Sequence, residues 1–64
     1  MLLNGKFIEL PAQVSLSSFL TAQGYDLTRV AAEVSGNVIP RKDFDTVIVT
    51  DSDTVEVVTF VGGG

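Results

Sequence analysis

Apolar and polar positions fall into short blocks separated by turn residues. Leu2-Leu3 and Phe7-Ile8-Glu9-Leu10 flank Asn4-Gly5. Asn-Gly between apolar runs predicts a β-hairpin, because a type I′ turn needs positive φ at both central residues. Pro11 ends the second strand. The pattern then switches to helical spacing, with Leu16, Phe19 and Leu20 at i, i+3 and i+4. Ser15 is placed to cap that helix, Val14 and Phe19 to form a hydrophobic staple, and Gly24 to close it in the left-handed conformation with Tyr25 folded back on Leu20. Val30 to Val34 reads as a strand, Ser35-Gly36 as a turn, and Val38-Ile39 as a short strand stopped by Pro40. Arg41-Lys42-Asp43 is a polar, exposed connection. Val47-Ile48-Val49 is a short strand or irregular run, Asp51-Ser52-Asp53 a turn, and Thr54 to Val61 the last and longest strand.

This order, β-β-α-β-β-β, limits the topology. One helix must bury its stripe on one face of one sheet. A long last strand, apolar on both sides, belongs in the centre of that sheet beside the first strand. The expected fold is therefore α+β: a β-grasp, with a mixed sheet and one helix packed on one face. Residues 1–64 read as a single domain, with a folded body over 1–61 and a flexible glycine tail over 62–64. A chain of this size buries only about 60% of the surface it exposes when unfolded, and its core supplies ~3–5 kcal/mol.

Composition narrows the chemistry. The chain has no cysteine and no histidine, which removes disulfides, thiolate metal sites, an imidazole base and a thiol nucleophile. No enzyme activity is expected of it. The pairs Asp43/Asp45 and Asp51/Asp53 could serve as acid–base or metal carboxylates, but i, i+2 pairs in polar connections are the signature of turns and do not make a full calcium loop. No resident metal or cofactor is therefore expected. The apolar stretches fall far short of the ~20 residues of a membrane span, and without a signal segment the cytoplasm is the default location. A net charge of −4 disfavours nucleic acid and suits a basic groove on another protein.

The terminus is the remaining place for covalent chemistry. The sequence closes on Gly62-Gly63-Gly64. A glycine tail threads channels too narrow for other residues, and its ionised carboxylate becomes an acyl donor once a partner activates it. The alternative is an inert, frayed end. Strand parity adds a docking surface: if Val55 and Val57 point to the helix, Glu56, Val58 and Phe60 point to the uncovered face beside the tail. A bulge near the strand end would instead turn Phe60 into the core.

At this point a family resemblance is visible. Val30-Ala31-Ala32-Glu33-Val34-Ser35-Gly36-Asn37-Val38-Ile39-Pro40-Arg41 resembles the V-A-x-E-x-N-G-x-x-x-P-R segment of the sulfur carrier of thiamine biosynthesis, the ThiS family, which is ubiquitin-like. Asp53-Thr54-Val55-Glu56-Val57-Val58 is similar to that family's G-D-x-V-E-I-V run, and the end is similar to its Gly-Gly. Ser35 and Ser52 depart from the usual Asn and Gly in two turns, and Gly62 is an extra glycine. The resemblance implies that an E1-like enzyme, using ATP and magnesium, adenylates the Gly64 carboxylate. A cysteine persulfide on a sulfur-donor enzyme then yields a thiocarboxylate, and thiazole synthase takes up the sulfur. The small subunit of molybdopterin synthase shares the fold and terminus but is usually longer, and Pro40-Arg41 fits the thiamine carrier better. A ubiquitin-like modifier and a plain interaction module are the rivals from other classes.

Overall fold

The computed structural model describes residues 1–61; the expected tail, Gly62 to Gly64, lies outside the described residues. Asn4 (φ 50°) and Gly5 (φ 80°) turn the chain between β1 (Leu2–Leu3) and β2 (Lys6–Phe7), which pair antiparallel. The second strand is shorter than the apolar run Phe7 to Leu10 suggested. Ile8 still pairs with Met1 in the same register, its N–H on the Met1 carbonyl (2.9 Å) and the Met1 ammonium on its own carbonyl (3.1 Å), and the chain leaves the ladder beyond it, where the Leu10 N–H bonds to the Asp51 carboxylate (2.9 Å). Ile8 and Leu10 are half-buried and pack against the core.

The helix α1 spans Leu16–Ala22. Ser15 Oγ accepts the Ser18 N–H (3.1 Å), which makes it the N-cap. At the other end the Gly24 N–H bonds to the Thr21 carbonyl (3.0 Å) and the Tyr25 N–H to the Leu20 carbonyl (3.1 Å), with Gly24 at φ 91°. That is a Schellman closure. Two N–H groups of the first turn are met by a neighbouring loop: Leu16 donates to Val47 O and Ser17 to Phe44 O, both at 2.8 Å. The same region forms a second, two-stranded sheet of β3 (Val14–Ser15) and β6 (Ile48–Val49).

A 3₁₀ turn over Leu27–Arg29 leads into β4 (Val30–Val34), which turns at Ser35-Gly36 into β5 (Asn37–Ile39). The connection Arg41–Asp43 is a second 3₁₀ turn, and Phe44 behind it is buried. The last strand, β7 (Thr54–Thr59), stops two residues earlier than the sequence suggested. Its partner β4 begins at Val30, so only one further bond, Phe60 N–H to Arg29 O (2.7 Å), continues the ladder. The strand order is β2-β1-β7-β4-β5, with β7 central, parallel to β1 and antiparallel to β4. Leu16, Phe19 and Leu20 share one core with Val30, Val34, Val55 and Val57. The mixed sheet with one helix on one face is the expected β-grasp.

Ser35 shows how the chain absorbs one of its departures. It sits at φ 48°, a region that costs most residues about 1–2 kcal/mol. Its N–H bonds to Thr54 O (2.7 Å) and its hydroxyl donates to Asp53 Oδ1 (2.9 Å), so the turn is tied to the start of β7.

The Asp51–Asp53 turn carries a pH dependence. The Leu10 N–H and the Met1 ammonium (3.1 Å) hold the Asp51 carboxyl below its ordinary value. The Thr50 N–H (2.8 Å), followed by the hydroxyls of Ser35 and Thr50, does the same for Asp53. A carboxyl depressed in the folded state contributes stability above its unfolded value of about 4 and loses it as pH falls through the lower folded value. The melting temperature should thus be nearly flat from neutral pH to about 5 and drop below about 4. Asp53→Asn should flatten part of that drop, and circular dichroism melts across the range would check it.

Candidate functional site

The final strand positions the site. Val55 is fully buried and Val57 nearly so, while Glu56 and Val58 are exposed on the other face. Phe60, one residue beyond the strand, is 53% exposed with its N–H on Arg29 O. The bulge that would have turned it inward is not there. The three residues expected at a docking face, Glu56, Val58 and Phe60, therefore lie on or beside the uncovered side of the sheet. Gly62, Gly63 and Gly64, expected to carry and deliver the reactive carboxylate, come after Val61 in the sequence and lie outside the described residues.

Register extends this face across neighbouring strands. Ala31 lies opposite Val58, Glu33 opposite Glu56, Val38 opposite Glu33, and Phe7 opposite Leu2. Phe7 (71% exposed), Val38 (73%) and Val58 (60%) make the face partly apolar. A shallow depression lined by Ala31, Glu33, Val38, Glu56 and Val58 lies within it. Leu2, Phe7 and Val38 were not singled out from the sequence, although strand alternation around the Asn4-Gly5 and Ser35-Gly36 turns carried the signal.

Asn4 does more than turn the hairpin. Its Oδ1 accepts the Val57 N–H (2.7 Å) and its Nδ2 donates to Val57 O (3.3 Å), while its own N–H bonds to Val55 O (2.8 Å). The carboxamide continues the β1–β7 pairing past the end of β1. It fixes the strand that leads to the glycines, and this use of a turn residue left no trace in the sequence pattern.

Of the two acidic pairs, Asp51/Asp53 is tied into the fold through its carboxylates. Asp51 and Asp53 are occupied by the turn bonds described above. The Asp43 backbone carbonyl accepts from Thr46 and Val47, and Asp45 lies on the helix side beside Ser17, Ser18 and Thr21. Among the described residues no group of three or more potential metal-ligating side chains converges. No helix among them is long and apolar enough to cross a membrane.

A mixed sheet whose last strand is central, with one helix across one face, defines a ubiquitin-like β-grasp protein. The sequence matches the model of the ThiS family over residues 1–64, and the chain belongs to that family. It is similar in structure to the crystallised thiamine biosynthesis protein (ThiS) of Geobacter metallireducens, with a TM-score of 0.81 and 32% identity over 98% of this chain and 96% of that one. It is also 31% identical to a thiazole synthase of Paramagnetospirillum magneticum over its whole length, although it spans only 20% of that protein. The uncharacterized protein ycf40 of Porphyra purpurea is 31% identical over 97% of this chain and 87% of its own length.

Proposed function

We propose that this protein is a sulfur carrier of thiamine biosynthesis whose cargo rides on the Gly64 carboxylate. The observation that carries the reading is the join between fold and terminus. The central strand is hydrogen-bonded as far as residue 60, its outer face is open and partly apolar, and in the sequence Val61 and then the three glycines come next. Membership of the ThiS family supports the sulfur-carrier role. The chain has no cysteine, so a thiol of its own cannot hold the sulfur.

The chemistry follows from the weakness of a carboxylate as an electrophile. An E1-like enzyme with bound ATP and magnesium joins the Gly64 carboxylate oxygen to the α-phosphate and releases pyrophosphate. The terminal sulfur of a cysteine persulfide then attacks the carbonyl carbon and expels AMP. A thiol opening the resulting S–S bond leaves the thiocarboxylate. Thiazole synthase is the acceptor; a thiazole synthase that contains a segment similar to this entire chain supports that pairing. The chain acts as the carried substrate of these enzymes, and ATP and magnesium belong to the activating partner.

Incubation with ATP, activating enzyme and sulfur donor, followed by intact mass, tests the reading. The expected result is a gain equal to replacing one oxygen by sulfur. A larger conjugate would make the protein a modifier, and no change would leave it an interaction module.

A further inference from the structure

We propose that the open sheet face is an arginine receptor: Glu33 and Glu56, opposed on neighbouring strands and flanked by Val38 and Val58, together take one guanidinium from a partner protein. The proposal rests on the carrier reading only for the identity of that partner, the activating enzyme.

Register carries the first part. Glu33 on β4 lies directly opposite Glu56 on β7. Ser35 N–H bonds to Thr54 O and Phe60 N–H to Arg29 O, so every second pair between them, 33/56 included, is a hydrogen-bonded pair. Side chains in such a pair leave the sheet on the same face about 5.5 Å apart. Like charges placed directly opposite destabilise a sheet. Among the described residues no ion pair offsets them: those present join Met1 to Asp51, Arg29 to Asp26 and Lys42 to Asp43, and none reaches either glutamate. The two carboxylates also share a depression with Ala31, Val38 and Val58, where a docked partner would exclude water and strengthen any charge contact.

Charge selects the occupant. A second copy of this chain, at net −4, would bring four carboxylates together, and nucleic acid or an anionic membrane would be repelled in the same way. A cationic group set in an apolar surface is complementary to the face. Arginine fits better than lysine, because its planar fork presents five donors that can serve two carboxylates at once, and its weaker hydration lets it lie against valine side chains.

Three measurements test this. Glu33→Gln and Glu56→Gln should each raise the melting temperature by roughly 1–5 °C by removing the repulsion; a fall would show that the pair stabilises the fold and overturn the argument. Second, ¹⁵N-labelled protein is titrated at low salt with acetyl-Val-Arg-Val-amide and with its citrulline counterpart. Amide shifts at Glu33, Glu56 and Val58 should appear with the arginine peptide alone and vanish in the double Gln variant. Equal shifts from both peptides, or shifts on the helix side, would overturn the receptor. Third, the double variant should bind the activating enzyme at least about tenfold more weakly, with the deficit shrinking as salt rises. If Val58→Asp weakens that binding while the double Gln variant binds normally, the enzyme uses the face without an arginine and the proposal falls. Failure of the wild type to become a thiocarboxylate would sink the carrier reading alone, since the peptide titration needs no enzyme.

Discussion

Phe19→Ala should remove about 3–5 kcal/mol of stability, the usual cost of truncating a buried phenylalanine. Phe19 is 3% exposed, at the fourth position of α1, in the core shared with Leu16, Leu20, Val55 and Val57. A 64-residue chain holds little more than that in total, so the variant should be largely unfolded at physiological temperature. The cavity cannot easily collapse, because both sides are fixed. The helix is capped at Ser15 and closed at Gly24, and β7 is paired on either side by β1 and β4. Urea denaturation of the parent, Phe19→Ala and Phe19→Leu would check it. Phe19→Leu should retain a cooperative transition at reduced denaturant, whereas Phe19→Ala should show little or none. A Phe19→Ala protein that melts like its parent would mean that the helix stripe is not the core.

Most of the frame was legible because short-range chemistry and long-range packing agree here. Asn4-Gly5 and Gly24 each specify one backbone conformation, and the helix stripe with the inward parity of β7 specifies which faces meet. What escaped has a common physical origin. The β3–β6 pair is two residues on each side, too short for any periodicity, and its existence depends on helix N–H groups finding acceptors at Phe44 and Val47. Phe44 itself follows three polar residues and gives no sequence pattern to mark it as core. The ends of β2 and β7 depend on where their partners stop, which is a property of the assembled sheet. At the site, the outward parity of Glu56 and Val58 was readable. The cross-strand meeting of Glu33 with Glu56, and the carboxamide of Asn4 on Val57, needed the register.

Gly63→Val and deletion of Gly64 should each abolish thiocarboxylate formation while leaving the melting temperature unchanged. The last ladder bond is made by Phe60, so neither change touches a hydrogen bond or a core residue of the described fold. The chemistry is affected for two separate reasons. Deleting Gly64 places the carboxylate one residue short of the position the activating enzyme must reach, and positional errors of even 1 Å can cost about a hundredfold in rate. Gly63→Val leaves the length intact but adds a β-branched side chain that restricts the backbone and widens the segment that must enter a narrow channel. A graded series separates the two effects: Gly63→Ala should retain part of the rate that Gly63→Val loses, whereas no substitution at Gly63 should rescue the shortened chain. Intact mass after incubation with ATP, the activating enzyme and the sulfur donor reads all four proteins in one experiment, and calorimetry confirms that each is folded. Conversion of the Gly64-deleted protein at the parental rate would show that sulfur is not carried on this terminus.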